Sequence, residues 1–294
     1  MRNRIGISLP PAFEWKVARA GYCWIDSPDG RRICAVDARQ PDWWGSDRYE
    51  TSYDPLERTG LFREFGALEL TEKSILDFAN EFGVLGRGGN FPLKTESGET
   101  LVRAEAFAAW KGEIQSLKLA IAIWDHISSA IGDSRVIRDE LQKLNMPLAI
   151  GRHLHIDDDD PAMAALSVVQ RLTDSRLSED TRPRLLFQGN SPRLEIVLMP
   201  SDLIGALWLQ FALAIDGLKR FIKCSQCGAP FELSRDKRTG KRADAQFCNV
   251  RCRVGHYRGR IEEAQRLRST GLSPKEIARR LNTNERTLRG WLSQ

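Results

Sequence analysis

Four of the chain's six cysteines fall in two close pairs, Cys224-x2-Cys227 and Cys248-x3-Cys252, with 20 residues between the pairs. That is the spacing of a four-thiolate zinc site, in which each pair supplies two ligands to one tetrahedral ion. Gly228, in the stretch KCSQCGAPF, permits the tight turn that lets the first two thiolates face a single ion. Two other chemistries use paired cysteines. Disulfide stapling belongs to small secreted domains, whereas this chain has 294 residues, and its start, MRNRIGISLPPAFEW, holds no apolar run of signal-peptide length. A thioredoxin-like redox site needs one CxxC at a strand-to-helix junction and leaves the second pair without a role. The expectation is one structural zinc ion held by Cys224, Cys227, Cys248 and Cys252. Four protein thiolates leave no open coordination position, so the metal would hold structure and perform no catalysis.

Such a site needs elements that present both pairs. Phe231 and Leu233, followed by the polar SRDKRTGKR, predict a short hairpin with its tip at residues 237 to 240. The stretch VRCRVGHYRGRIEEAQRLRS has no proline and predicts one helix from about Val250 to Ser269. Cys248 and Cys252 then lie near its first turn, where the helix dipole favours thiolate charge.

The last thirty residues predict two short helices. Ser273, Pro274 and Glu276 form a helix start: a cap, a proline at the first helical position and an acid in the first turn. Ile277, Ala278 and Leu281 share a face, and Asn282 follows at the turn, a residue that tolerates the left-handed conformation. Leu288, Trp291 and Leu292 share a face of the second helix. Residues 271 to 292 resemble the DNA-binding helix-turn-helix, with Ala278 at the small position where the two helices cross and Asn282 where glycine is usual. The outward face of the second helix combines Asn284, Arg286, Thr287 and Arg289, types that read base edges and bond phosphate. The helix before this pair is expected to pack beneath it, with Ile261 and Leu267 as contacts, and to place Arg251, Arg253, Arg258 and Arg260 beside the DNA backbone.

Charge is divided in the same way. Residues 218 to 294 hold 19 Lys and Arg against 7 Asp and Glu, whereas residues 1 to 217 hold 25 against 32. An acidic body with a basic tail suits nucleic-acid binding through one end, because phosphate neutralisation supplies much of that affinity. A paired-cysteine knuckle followed by Phe247-Cys248-x3-Cys252-Arg253 and a basic helix resembles the C-terminal zinc module of the bacterial CGNR zinc-finger regulators, over about residues 220 to 260. Here Arg253, Val254 and Gly255 follow Cys252 in place of that family's Gly-Asn-Arg. The resemblance implies a sequence-specific DNA-binding regulator with a separate N-terminal domain.

The body offers less. Trp15 to Val36 predicts a hairpin whose Asp26 and Arg31 pair across the turn, setting Cys23 opposite Cys34 as small buried thiols. Ile75, Phe78 and Phe82 predict a helix closed by Gly83. Phe107, Trp110, Ile114, Leu117 and Ile121 mark an apolar stripe over one or two helices between residues 102 and 144. PRLEIVLMP reads as a strand, and Asp202 to Asp216 as a buried helix. The longest apolar stretch, Leu203 to Ile215, falls short of the roughly 18 residues of a membrane span. For catalysis, His153, His155 and Asp157 in HLHIDDDD are the metal-binding candidates, though a solvated acidic loop is the commoner cause of such a run. Trp43, Trp44 and Trp110 could line a pocket, although tryptophans at such intervals are more often core. The loop GRGGN (86 to 90) lacks the lysine and hydroxyl of a phosphate loop.

The whole predicts an α+β, mainly helical chain. Residues 1–217 form a hairpin plus helical body for sensing or assembly; 218–260 a zinc module of knuckle, hairpin and helix; and 261–294 a helix-turn-helix. The expected function is a cytoplasmic, nucleoid-associated transcription regulator that binds double-stranded DNA, with no membrane partner. A second copy of the chain, and a small-molecule or protein signal at the body, are further candidate partners. The competing class is a DNA-processing enzyme, a recombinase or nuclease that docks through the same modules. No catalytic constellation recommends it.

Overall fold

The computed structural model describes residues 13–39, 50–95, 98–129, 161–187, 194–217, 220–233 and 245–293. Helix takes 53% of these residues and strand 26%, so the chain is α+β and mainly helical. It divides into two compact units, Met1–Leu218 and Lys219–Gln294. No helix among the described residues is long and apolar enough to cross a membrane.

In the first unit, strand β1 (Trp15–Ala18) pairs antiparallel with β4 (Glu50–Tyr53). The hairpin expected from residue 15 is instead formed by β2 (Tyr22–Ser27) and β3 (Gly30–Ala35), closed at Gly30, where φ is +118°. Its register sets Cys23 opposite Cys34 and Asp26 opposite Arg31, whose charged groups lie 3.3 Å apart. Both cysteines are free thiols. The sheet continues through β6 (Gly98–Ala106) to β5 (Gly89–Thr95), in the order β2-β3-β6-β5. Residues 102 to 106 are therefore strand and not helix: Val102 and Ala104 are buried on alternate positions, the pleat's period of two.

Helices α1 (Leu61–Gly66), α2 (Glu72–Phe82), α3 (Phe107–Ser129) and α4 (Pro161–Asp180) follow in chain order, with α3 beginning where β6 ends. Thr71 caps α2 by accepting the Ser74 N–H, and Gly83 ends it at φ +87°, a conformation a side chain would resist. A hairpin, β7 (Thr181–Phe187) with β8 (Leu194–Pro200), leads to α5 (Leu203–Asp216), whose first turn is capped by Asp202. The core lies where α1, α2, α3 and α5 meet. Phe65 contacts Phe78 at 5.3 Å, and Phe62 contacts Phe211 at 5.8 Å. Trp110 and Trp208 are fully buried, so Trp110 belongs to the core. The polar Gln210 is buried on α5, donating to the Pro55 carbonyl at 2.6 Å and accepting the Phe62 N–H at 3.3 Å.

The glycine-rich loop has its own explanation. Glu105, buried on β6, accepts the N–H groups of Leu85, Gly86 and Arg87 at 2.7 to 2.9 Å. A carboxylate of the chain itself thus occupies the donors that a phosphate would need.

Candidate metal centre and nucleic-acid interface

In the second unit, β9 (Arg220–Lys223) and β10 (Pro230–Leu233) pair antiparallel, with Lys223 opposite Pro230. The loop between them is the first cysteine pair. Cys224 N–H donates to the Ala229 carbonyl and Gly228 N–H to the Cys224 carbonyl, both at 2.9 Å, and Gly228 sits at φ +73°. The described hairpin is thus the knuckle itself. The expected tip at 237 to 240 lies outside the described residues.

The second pair is brought in by helix α6 (Val250–Ser269), capped by Asn249, whose Oδ1 accepts the Cys252 N–H at 2.8 Å. Ser225 N–H bonds the Gln246 carbonyl at 2.9 Å, tying the two pairs together. The four sulfurs lie within 4.8 Å of one another, with Cys227 to Cys248 at 3.6 Å and Cys248 to Cys252 at 3.4 Å. A tetrahedral site with metal–sulfur bonds of about 2.3 Å has sulfurs about 3.8 Å apart, so this set is shaped to hold one ion. All four are free cysteines.

Electrostatics point the same way. Burial pushes the Cys224 thiol up, but N–H groups of Cys227, Cys248 and Gln226 directed at its sulfur outweigh that effect and bring its pKa down to about 6. Cys248 is pushed up, by burial first and then by the neighbouring sulfurs. One thiolate is thus prepared by the backbone, while ionising a second sulfur beside it would need a cation between them.

Helix α6 then runs without a break into a three-helix packing with α7 (Pro274–Arg280) and α8 (Glu285–Leu292). Ser273 and Glu276 form a reciprocal capping box at the start of α7, with Pro274 in the first turn. Between α7 and α8 the chain turns at Asn282, where φ is +45°; no other described non-glycine residue has a positive φ. Thr283 N–H reaches back to the Ala278 carbonyl at 2.9 Å. Ala264, Leu267, Ile277, Ala278, Leu288 and Trp291 form the buried cluster, flanked by Ile261, Leu272, Leu281 and Leu292.

Comparison of the chain with family models, curated proteins and solved structures returns no match.

The expected contact residues divide by what they touch. Arg286 and Arg289 are exposed on α8, opposite Leu288 and Trp291, and Glu285 pairs with Arg289 at 3.7 Å. Asn284 is the cap of α8: its Oδ1 accepts the N–H of half-buried Thr287 at 2.7 Å, so its side chain is engaged locally. On α6, Arg251, Arg253 and Arg258 are exposed. By helical periodicity Arg251 and Arg258 share one face, while Arg253 and Arg260 lie about half a turn away, on the face that carries Ala264 and Leu267. Arg260 is half-buried there. It donates to the Leu281 carbonyl, and its guanidinium stands 5.0 Å from the centre of the Trp291 ring.

Tyr257 belongs to the same arrangement. Its hydroxyl accepts the Trp291 indole N–H at 2.9 Å, and its ring meets Trp291 edge-on at 5.8 Å. The steps Tyr257, Arg260, Ala264 and Leu267 trace one helical face in the sequence and signal this role. Lys275, Arg279 and Arg280, which the sequence reading did not single out, are exposed on α7, the two arginines at its end beside the turn. His153, His155, Asp157, Trp43 and Trp44 lie outside the described residues.

Proposed function

We propose that the chain is a zinc-containing DNA-binding protein, a transcription regulator that reads double-stranded DNA with α7 and α8 and is built on the general layout of the CGNR zinc-finger regulators. Cys224, Cys227, Cys248 and Cys252 would hold the zinc, the ion best suited to a closed set of four thiolates. Its part is to fix the start of α6, which is rich in arginine and poor in apolar residues. The body would sense a signal or mediate assembly, and the protein would work in the cytoplasm on nucleoid DNA.

One observation carries the reading. Two short helices close around Ala278 through a left-handed Asn282 and leave Arg286 and Arg289 on the outer side of the second, in the C-terminal segment, residues 218 to 294, that holds the excess of positive charge. Arg side chains in that position suit guanine edges in a major groove, and Arg279, Arg280 and Lys275 add phosphate contacts.

The test is capture of genomic fragments on the full-length protein, with sequencing, in the presence and absence of magnesium. Discrete peaks with intact DNA are expected under both conditions. Magnesium-dependent cleavage would replace the regulator by a DNA-processing enzyme, and uniform coverage without peaks would remove sequence reading from α8.

A further inference from the structure

The hairpin of β7 and β8 presents an apolar face. Its register pairs Leu185 with Ile196 and Phe187 with Leu194, so the four side chains lie on one side of the ribbon by the two-residue pleat. All four are exposed: Leu185 at 63%, Phe187 at 68%, Leu194 at 54% and Ile196 at 58%. The other side carries Val197, fully buried where the hairpin meets α4 and α5. Residues of these sizes leave roughly 100 Å² or more of apolar surface each. The patch is therefore about 400 to 500 Å², within the range of the largest apolar patch on a single subunit, a patch that is often functional.

We propose that this face is the contact between two copies of the chain, stacked hairpin on hairpin across a two-fold axis. Self-complementarity selects a second copy as the occupant. The four positions are uncharged, so identical faces meet without like-charge repulsion in a chain of net charge +5. The β7 edge is a poor contact: it carries Arg182, Pro183 and Arg184 in succession, residues that discourage strand addition. Area sets the strength: two such patches remove roughly 900 Å² from water, just under the bound of about 1,000 Å² for a stable specific interface and in the range of weak, transient ones. A reversible dimer follows from that size. The inference goes beyond the DNA-binding reading and does not depend on it, although a dimer would present two copies of α8 to the two halves of a symmetric site.

Sedimentation equilibrium of the full-length chain without DNA tests it, over about 1 to 100 µM, the range in which an interface of this size should dissociate. The wild type should populate dimer and monomer within that range. Ile196→Lys and Phe187→Lys, both at exposed positions, should each raise the dissociation constant about 30-fold or more while leaving the circular dichroism unchanged. A wild type that stays monomeric throughout, or Lys variants that dimerise as tightly as it does, would overturn the proposal. So would a monomeric wild type that pellets with phosphatidylcholine vesicles, which would give the face to a lipid surface. DNA affinity enters none of these outcomes, so the two readings stand or fall separately.

Discussion

Replacing Arg260 by Ala decides between two roles for one side chain. A phosphate anchor, as the sequence suggests, would contribute to affinity and nothing to stability. The geometry makes it a clamp: the guanidinium donates to the Leu281 carbonyl, at the end of α7 where helix carbonyls have lost their partners, and covers the Trp291 ring. A charge-assisted hydrogen bond contributes about 1.5 kcal/mol or more, which partial exposure holds to the low end. The favourable charge at a helix C-terminus is already within that figure. A cation over an indole at a partly exposed site adds about 0.5 kcal/mol. Arg260→Ala should therefore cost about 2 kcal/mol, or roughly 10 °C in the melting of a unit of this size. Calorimetry of the full-length chain, with Trp fluorescence as a second probe, reads it. Arg260→Lys should recover only part, since an ammonium cannot hold the forked geometry. An unchanged melting profile with DNA affinity reduced on every sequence would refute the clamp and restore the phosphate role.

Purified protein should carry about one zinc per chain by elemental analysis, as a single closed four-thiolate site requires. Cys227→Ser should lose it and lower the helical signal of the second unit, because metal binding at such sites is folding energy; a wild type without metal would sink that reading. On DNA, Arg289→Ala should cost about 1 to 3 kcal/mol on the preferred site while sparing random duplex. Arg258→Ala, on the far face of α6, should weaken both about equally and flatten the salt dependence; equal losses for Arg289→Ala would reduce α8 to an anchor. In the body, burial first and then the Asp202 charge push buried Asp180 from 3.8 up to about 6, despite its bond to Arg87. The folded state therefore holds this proton more tightly than the unfolded chain, and the associated stability, full below pH 3.8, is lost as pH rises through about 6. Urea unfolding should show a shallower fall from pH 4.5 to 7 in Asp180→Asn than in the wild type, and parallel curves would contradict the assignment.

Legibility in the sequence followed the range of the interactions. Helix ends were readable where the signal is local: Gly83 after α2 and Ser273 with Glu276 before α7 each act within four residues. The cysteine spacing was readable for the same reason, since ligand geometry restricts it. Strand partners were not, because the pairing of Trp15–Ala18 with Glu50–Tyr53 depends on contacts far along the chain. The strand over residues 98 to 106 was hidden by the helical stripe that begins directly after it, at Phe107. Arg260 and Asn284 show the limit at the candidate site. Composition marks an Arg or Asn as a nucleic-acid contact, but only the fold reveals that a neighbouring carbonyl or N–H has already taken the side chain.

The continuity of α6 has a consequence for how the C-terminal unit tolerates change. One rigid rod joins Cys252 to Leu267, about 22 Å apart along its axis, with no loop between them to absorb an error. Adding a single residue anywhere along it would swing the cysteine cluster by about 100° around the rod relative to α7 and α8. An insertion of seven residues would return it to within about 20° of its present bearing, displaced by about 10 Å along the axis. Length variation in this helix is therefore quantised, and lineages that drift in it should do so in steps close to two full turns.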